Sequence, residues 1–135
     1  MDGKLVSQVL REKMKLRVEE LAKRDIQPGL AVILLGDDAA SQVYVRNKVA
    51  ACQAIGVQSR VYRLAANTSE QKVLEALKLL NNDSEINGIL VQLPLPKHID
   101  EDKILEIISP QKDVDGFHKI NVGAMVTGHA RFYPC

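Results

Sequence analysis

The stretch Leu30–Ala31–Val32–Ile33–Leu34–Leu35, set between Gly29 and Gly36, restricts this chain more than any other. It has no polar alternation, so it cannot be a strand with one wet face. It is also far short of the ~20 residues that a membrane helix needs. A continuous apolar run rich in branched side chains and bounded by glycines reads as a strand covered on both faces, as in parallel sheets.

The flanking segments supply the covers. Over 5–22, apolar residues recur four apart at Val6, Leu10, Met14, Val18 and Ala22, with Leu21 beside the last, which marks one helix face. "QPGL" is expected to end that helix. "DDAAS" leads into a second helix over 41–55, with Gly56 as its stop. "QSRVYRLA" reads as a second strand. A third helix follows, capped by Thr68 or Ser69, with Glu70 in its first turn and Val73, Leu74, Leu77 and Leu80 as its buried stripe. "INGILVQLPLP" is a third strand ended by two prolines, and "DEDKILEIISP" a short helix. "QKDVDGFHKINVGAMVTG" reads as mostly loop, with one helical turn near 122–126. Strand and helix alternate throughout, so the expected fold is α/β, three-layered, with a mostly parallel sheet flanked by helices. At 135 residues it is one domain, 1–135.

Composition narrows the function classes. The 18 basic and 17 acidic residues leave a net charge of +1, which argues against a nucleic-acid partner. The two cysteines, Cys52 and Cys135, have no paired spacing, so a disulfide scaffold is not expected and a reducing compartment fits. No signal-peptide core or membrane-length apolar run is present, and the simplest address is cytoplasmic, with no membrane partner. The three histidines show no metal-ligand spacing, and neither G-x-G-x-x-G nor G-x-x-x-x-G-K-[ST] occurs.

In a parallel α/β sheet, ligands collect outside the carboxyl ends of the strands. Three stretches fall there. In "GDDAASQVYVRNK", Ser41, Tyr44 and Lys48 are three and four apart and share a helix face. A lysine in a cleft can have its ammonium form disfavoured by desolvation, and a tyrosine ring can stack on a flat ligand. The same spacing also occurs on ordinary solvated helices. In "ILVQLPL", Gln92 is the one polar side chain in an apolar run; it either bonds local backbone or fixes a catalytic neighbour. In "KDVDGFH", Asp113 and Asp115 are two apart and point to opposite sides, so one can face a ligand while the other organises the turn.

Taken together, "GDDAASQVYVRNKVAACQAIG", "GILVQLPLPKHID" and "SPQKDVDGFHKINVG", in that order, closely resemble the bifunctional methylenetetrahydrofolate dehydrogenase/methenyltetrahydrofolate cyclohydrolase family, over nearly the whole chain. The resemblance implies a catalytic domain that faces a nucleotide-binding domain across a cleft that holds tetrahydrofolate derivatives. It implies one-carbon metabolism serving purine biosynthesis: oxidation of 5,10-methylenetetrahydrofolate with NADP, then hydrolysis to 10-formyltetrahydrofolate. By the same resemblance Tyr44 stacks on the aminobenzoate ring, and Lys48 is the main catalytic residue, moving a proton in the hydrolytic step. Gln92 holds Lys48, Asp115 receives the pterin, Leu93 and its neighbours line the pterin pocket, and Ser41 tunes the lysine site. Short-chain dehydrogenases also carry Y-x-x-x-K, but they need an upstream glycine-rich loop that is missing here.

Family members continue past "PC" into the nucleotide-binding domain. The expectation is therefore an isolated catalytic domain lacking its Rossmann partner, with no cofactor of its own and no hydride transfer alone. The family homodimer is held largely by the other domain, which leaves the state of this chain open. The competing readings are a single-domain folate binder without chemistry and a silent interaction module.

Overall fold

The structure is a computed structural model that describes residues 2–134. Its elements are α1 (Gly3–Ala22), β1 (Gly29–Leu35), α2 (Ala39–Ile55), β2 (Gln58–Leu64), α3 (Glu70–Asn82), β3 (Gly88–Val91), α4 (Glu101–Ile107) and α5 (Lys119–Val126). The strands form one sheet in the order β2–β1–β3, and both pairings are parallel. The central strand is the apolar run. Its residues Ala31–Leu35 are all buried because side chains leave a strand alternately to both faces and both faces are covered. Ala31, Ile33 and Leu35 pack with Val73, Leu77 and Leu80 of α3 and Ile104 of α4. On the other face Val32, Leu34 and Leu90 pack with Val45 of α2. The fold is the expected three-layer α/β arrangement, and its sheet is wholly parallel.

Helix ends follow local chemistry. Asp38 caps α2 and Gly56, at φ 83, stops it in the left-handed region that favours glycine. Of the two expected caps for α3, Ser69 is the one used, and its stripe is Val73, Leu77 and Leu80, with Leu74 half-buried. Two expectations shift. α1 ends at Ala22, before Pro28, because the chain turns at once through Asp25 (φ 55) and Ile26 donates to the Leu21 carbonyl at 3.0 Å. The stretch expected to be mostly loop contains α5, a full helix from Lys119 to Val126. It starts on the His118 ring, whose Nδ1 accepts from the Ile120 amide at 3.1 Å. Histidine is outside the usual capping set and Gly123 lowers helix propensity, so sequence pattern understates this helix.

The apolar row of α1 does lie on one face, but no residue of α1 is buried. Val6, Leu10 and Met14, with Ala51, Cys52 and Ile55 of α2, line an open groove of about 440 Å³. Cys52 is a free thiol pushed up by burial; Cys135 lies outside the described residues. No helix among the described residues is long and apolar enough to cross a membrane.

Candidate functional site

β1 and β3 are parallel neighbours, so both deliver the chain to the same rim of the sheet. From β1 the chain passes Gly36 (φ 77) and Asp37 into α2. Asp38 accepts the Ser41 amide at 2.7 Å; that bond, with the Ser41 hydroxyl, holds the Asp38 carboxyl below its usual range. Ser41 itself is buried at the start of the helix. One turn on, Tyr44 is 61% exposed, with its ring open to a ligand. One turn further, Lys48 is half-buried and donates from Nζ to Gln92 Oε1 at 3.2 Å, across 44 residues of sequence.

Gln92 sits where β3 ends. Its backbone N–H donates to the Ile33 carbonyl at 2.9 Å, carrying the ladder one residue beyond the strand. Its Nε2 donates to the Leu93 carbonyl, also at 2.9 Å. Lysine has donors only, so the amide must turn its oxygen to Lys48, and the Leu93 carbonyl occupies the opposite end. Gln92 thus has both a local backbone partner and a hydrogen bond to the lysine.

Asp115 reaches the rim from a loop laid against β3. The Ile89 amide donates to the Lys112 carbonyl at 2.7 Å, forming a parallel bridge at Asp113. A Cβ on Gly88 would stand 2.5 Å from Val114 Cγ1, so only glycine lets the loop lie this close. Asp115 is half-buried. Burial raises its carboxyl above the usual range, the Lys48 charge opposes that rise, and the Asp113 charge adds to it. The Lys48 charge thus reaches the Asp115 carboxyl across the rim. Asp113 turns inward and is buried.

The structure brings Lys48, Gln92 and Asp115 together, with Leu93 adjoining and Tyr44 at the open side. Ser41 lies two turns from Lys48 and is engaged with Asp38. Sequence reasoning passed over Asp38, Gly88 and Asn121. Asp38 and Gly88 each left a signal, an aspartate just before a helix being a preferred cap and a glycine within a strand run marking close backbone approach.

No cluster of His, Cys, Asp or Glu among the described residues is placed to hold a metal. A dinucleotide does not fit the usual place either. A pyrophosphate would need the free amides of the helix that follows the first strand. Here the Asp38 carboxylate already takes the Ser41 amide, and Asp37 stands beside it.

The sequence model for "Tetrahydrofolate dehydrogenase/cyclohydrolase, catalytic domain" matches residues 1–115. A relative from Magnetococcus marinus, bifunctional protein FolD, is 55% identical over 135 residues, covering 99% of this chain and 47% of its own length. The bifunctional methylenetetrahydrofolate dehydrogenase/cyclohydrolase FolD of Campylobacter jejuni superposes with a TM-score of 0.97 at 47% identity, over 99% of this chain and 48% of that one. The Trypanosoma brucei methylenetetrahydrofolate dehydrogenase-cyclohydrolase, solved with NADP cofactor and an inhibitor, superposes at 0.95 with 33% identity, over 100% of this chain and 47% of its own. The chain spans about half the length of the curated relatives it matches.

Proposed function

This chain belongs to the tetrahydrofolate dehydrogenase/cyclohydrolase family, and on that premise we propose that its Lys48–Gln92–Asp115 rim is the folate-binding and proton-transferring wall of a one-carbon enzyme. The observation that carries this reading is the Lys48–Gln92 bond of 3.2 Å, made between residues of two elements and facing the Asp115 carboxylate.

The geometry supports the roles that the family resemblance implies. Asp115 is half-buried and no donor among the described residues bonds its carboxylate, which suits it to the paired N–H donors of a pterin, and charge-assisted bonds are the stronger class. Tyr44 offers its exposed ring for stacking on the aminobenzoate. Leu93 lines the pterin side, and Ser41 acts at a distance by fixing the start of the helix that carries Tyr44 and Lys48. In the hydrolytic step, water adds to the cationic methenyl carbon and must lose a proton. With its ammonium proton first released to solvent, the Lys48 amine takes that proton and returns it to the ring nitrogen as the carbon–nitrogen bond opens, while the remaining hydroxyl proton passes to solvent as the formyl carbonyl of 10-formyltetrahydrofolate forms. Gln92 orients the amine without adding a charge beside the cation. A fixed positive charge 4 Å from it would cost about 4 kcal/mol at an effective dielectric of 20. Positioned proton transfer of this kind is worth roughly 10²–10⁴-fold.

The turn after β1 presents the Asp38 carboxylate where a dinucleotide would need free amides, so this rim is read as the folate wall and not as the NADP cradle. The whole protein is read as a cytoplasmic homodimer. The test follows the loss of methenyltetrahydrofolate absorbance. The 135-residue chain accelerates it, Lys48→Met does not, and neither reduces NADP in the presence of methylenetetrahydrofolate. Equal rates for the wild type and Lys48→Met, or NADP reduction by this chain, would overturn the reading.

A further inference from the structure

Asp115 stands in a loop with no regular structure of its own, yet the site needs its carboxylate at a fixed place. The preceding aspartate supplies the fixing. Asp113 is 2% exposed, and each of its oxygens is engaged. Oδ1 accepts the Gly116 amide at 3.0 Å; Oδ2 accepts the His118 amide at 2.9 Å and Asn121 Nδ2 at 2.8 Å. These bonds reach three, five and eight residues forward, so the chain closes a loop around Asp115. Gly116, at φ 72, allows the turn that aims the amides back. The Asn121 amide also donates to the Pro110 carbonyl at 2.9 Å, tying the beginning of the loop to α5.

A buried carboxylate without donors would be costly, and this one has three. By contrast, no donor among the described residues hydrogen-bonds the Asp115 carboxylate. The donors of the loop are spent on Asp113, which leaves Asp115 open toward the rim.

We propose that Asp113 and Asn121 form an internal clamp whose function is to position the Asp115 carboxylate opposite Lys48 and Gln92 for its ligand. Asp113 and Asn121 are positioning residues that touch no substrate. The ligand's identity rests on the folate reading above; the clamp itself does not.

The test uses the 135-residue chain and two variants. Asp113→Asn removes an acceptor and sets an N–H against N–H donors, so it can fail to fold. Asn121→Ala removes one donor of three, keeps the Asp113 charge, and keeps the proposal testable. The first readout is the carboxyl carbon resonance of Asp115 against pH. Asp115 is faced by Lys48 from α2 and by Asp113 from its own loop, and it is held high by burial. Loosening the loop in Asn121→Ala lets the midpoint fall toward the ordinary carboxylate value while the circular dichroism stays native. The second readout is calorimetric titration with 5-formyltetrahydrofolate. Asn121→Ala weakens binding about tenfold when Asp115 is present and less than about twofold in an Asp115→Ala background, since residues acting through one another are not additive. An unmoved Asp115 midpoint in a folded Asn121→Ala chain, or equal losses in both backgrounds, would overturn the clamp. A midpoint that moves in a chain that binds no 5-formyltetrahydrofolate would uphold the clamp and sink the folate reading instead.

Discussion

Gly88→Ala adds a single carbon at the point where the Asp115 loop meets the sheet. The new Cβ would lie 2.5 Å from Val114 Cγ1 and 3.3 Å from Leu30 Cδ1. Ordinary carbon contacts lie near 3.5–4.0 Å, so the overlap with Val114 is about 1 Å. Valine is stiff at χ1 and cannot swing aside cheaply. The loop must lift, and with it goes the bond from the Ile89 amide to the Lys112 carbonyl. Overpacking of this size costs about 1–3 kcal/mol, and the lost bond about 1 kcal/mol. Against this, alanine stiffens the unfolded chain by about 0.4–1 kcal/mol in favour of folding. The steric term wins, and the net loss is about 1–3 kcal/mol. Because the lift moves Asp115, affinity for 5-formyltetrahydrofolate should fall roughly tenfold or more, given that a 1 Å misplacement can cost about 10²-fold in a positioned site. The relief is specific. Val114→Ala removes the clashing methyl and leaves a Cβ contact of 3.8 Å at that position, beside the 3.3 Å approach to the flexible end of Leu30, so the double variant recovers most of the loss. Urea unfolding followed by circular dichroism, together with calorimetric titration, measures both effects. A Gly88→Ala chain as stable as wild type, or a double variant no better than the single, would refute the packing argument.

Three further outcomes are expected. Asp115 keeps its proton to a higher pH when folded than its usual 3.8. Its contribution to stability is therefore full below that value and falls as pH rises through the folded one. Asp115→Asn should accordingly raise the urea midpoint at pH 7 and flatten its decline above pH 4, while weakening folate binding; a lower midpoint at pH 7 would contradict this. Gln92→Leu should cost less than about 1.5 kcal/mol of stability, since the site is only half-buried, yet lower methenyltetrahydrofolate hydrolysis about tenfold or more. Equal hydrolysis rates would remove Gln92 from the mechanism. Leu77→Ala, at a fully buried position between α3 and the sheet, should cost about 2–5 kcal/mol in urea unfolding; a loss under about 1 kcal/mol would mean this face of the sheet is loosely packed.

Most of the frame could be read from the sequence because it rests on periodicity. The Leu30–Leu35 run read as a doubly covered strand, and α3 announced its stripe and narrowed its cap to Thr68 or Ser69. What stops α1 and the existence of α5 escaped because they depend on contacts and caps with no strong residue signature: Asp25 in a left-handed turn and a histidine ring at a helix start. The site divides in the same way. The helix spacing of Tyr44 and Lys48 and the isolated polarity of Gln92 are visible in one dimension, but the closure of Lys48 on Gln92 is a product of strand order. The inward turn of Asp113 and the notch at Gly88 are tertiary facts. Nothing in "KDVDGF" alone says which aspartate is buried, because that is decided by where Gly116, His118 and Asn121 place their N–H groups.

The most direct measurement is the map of amide chemical-shift changes when 5-formyltetrahydrofolate is titrated into the labelled chain. Changes centred on Tyr44, Lys48, Gln92–Leu93 and Asp113–His118, lost in Asp115→Ala, are the predicted result. Changes centred instead on the groove between α1 and α2, around Leu10, Met14 and Ile55, with the Lys48–Gln92 rim silent, would contradict the account.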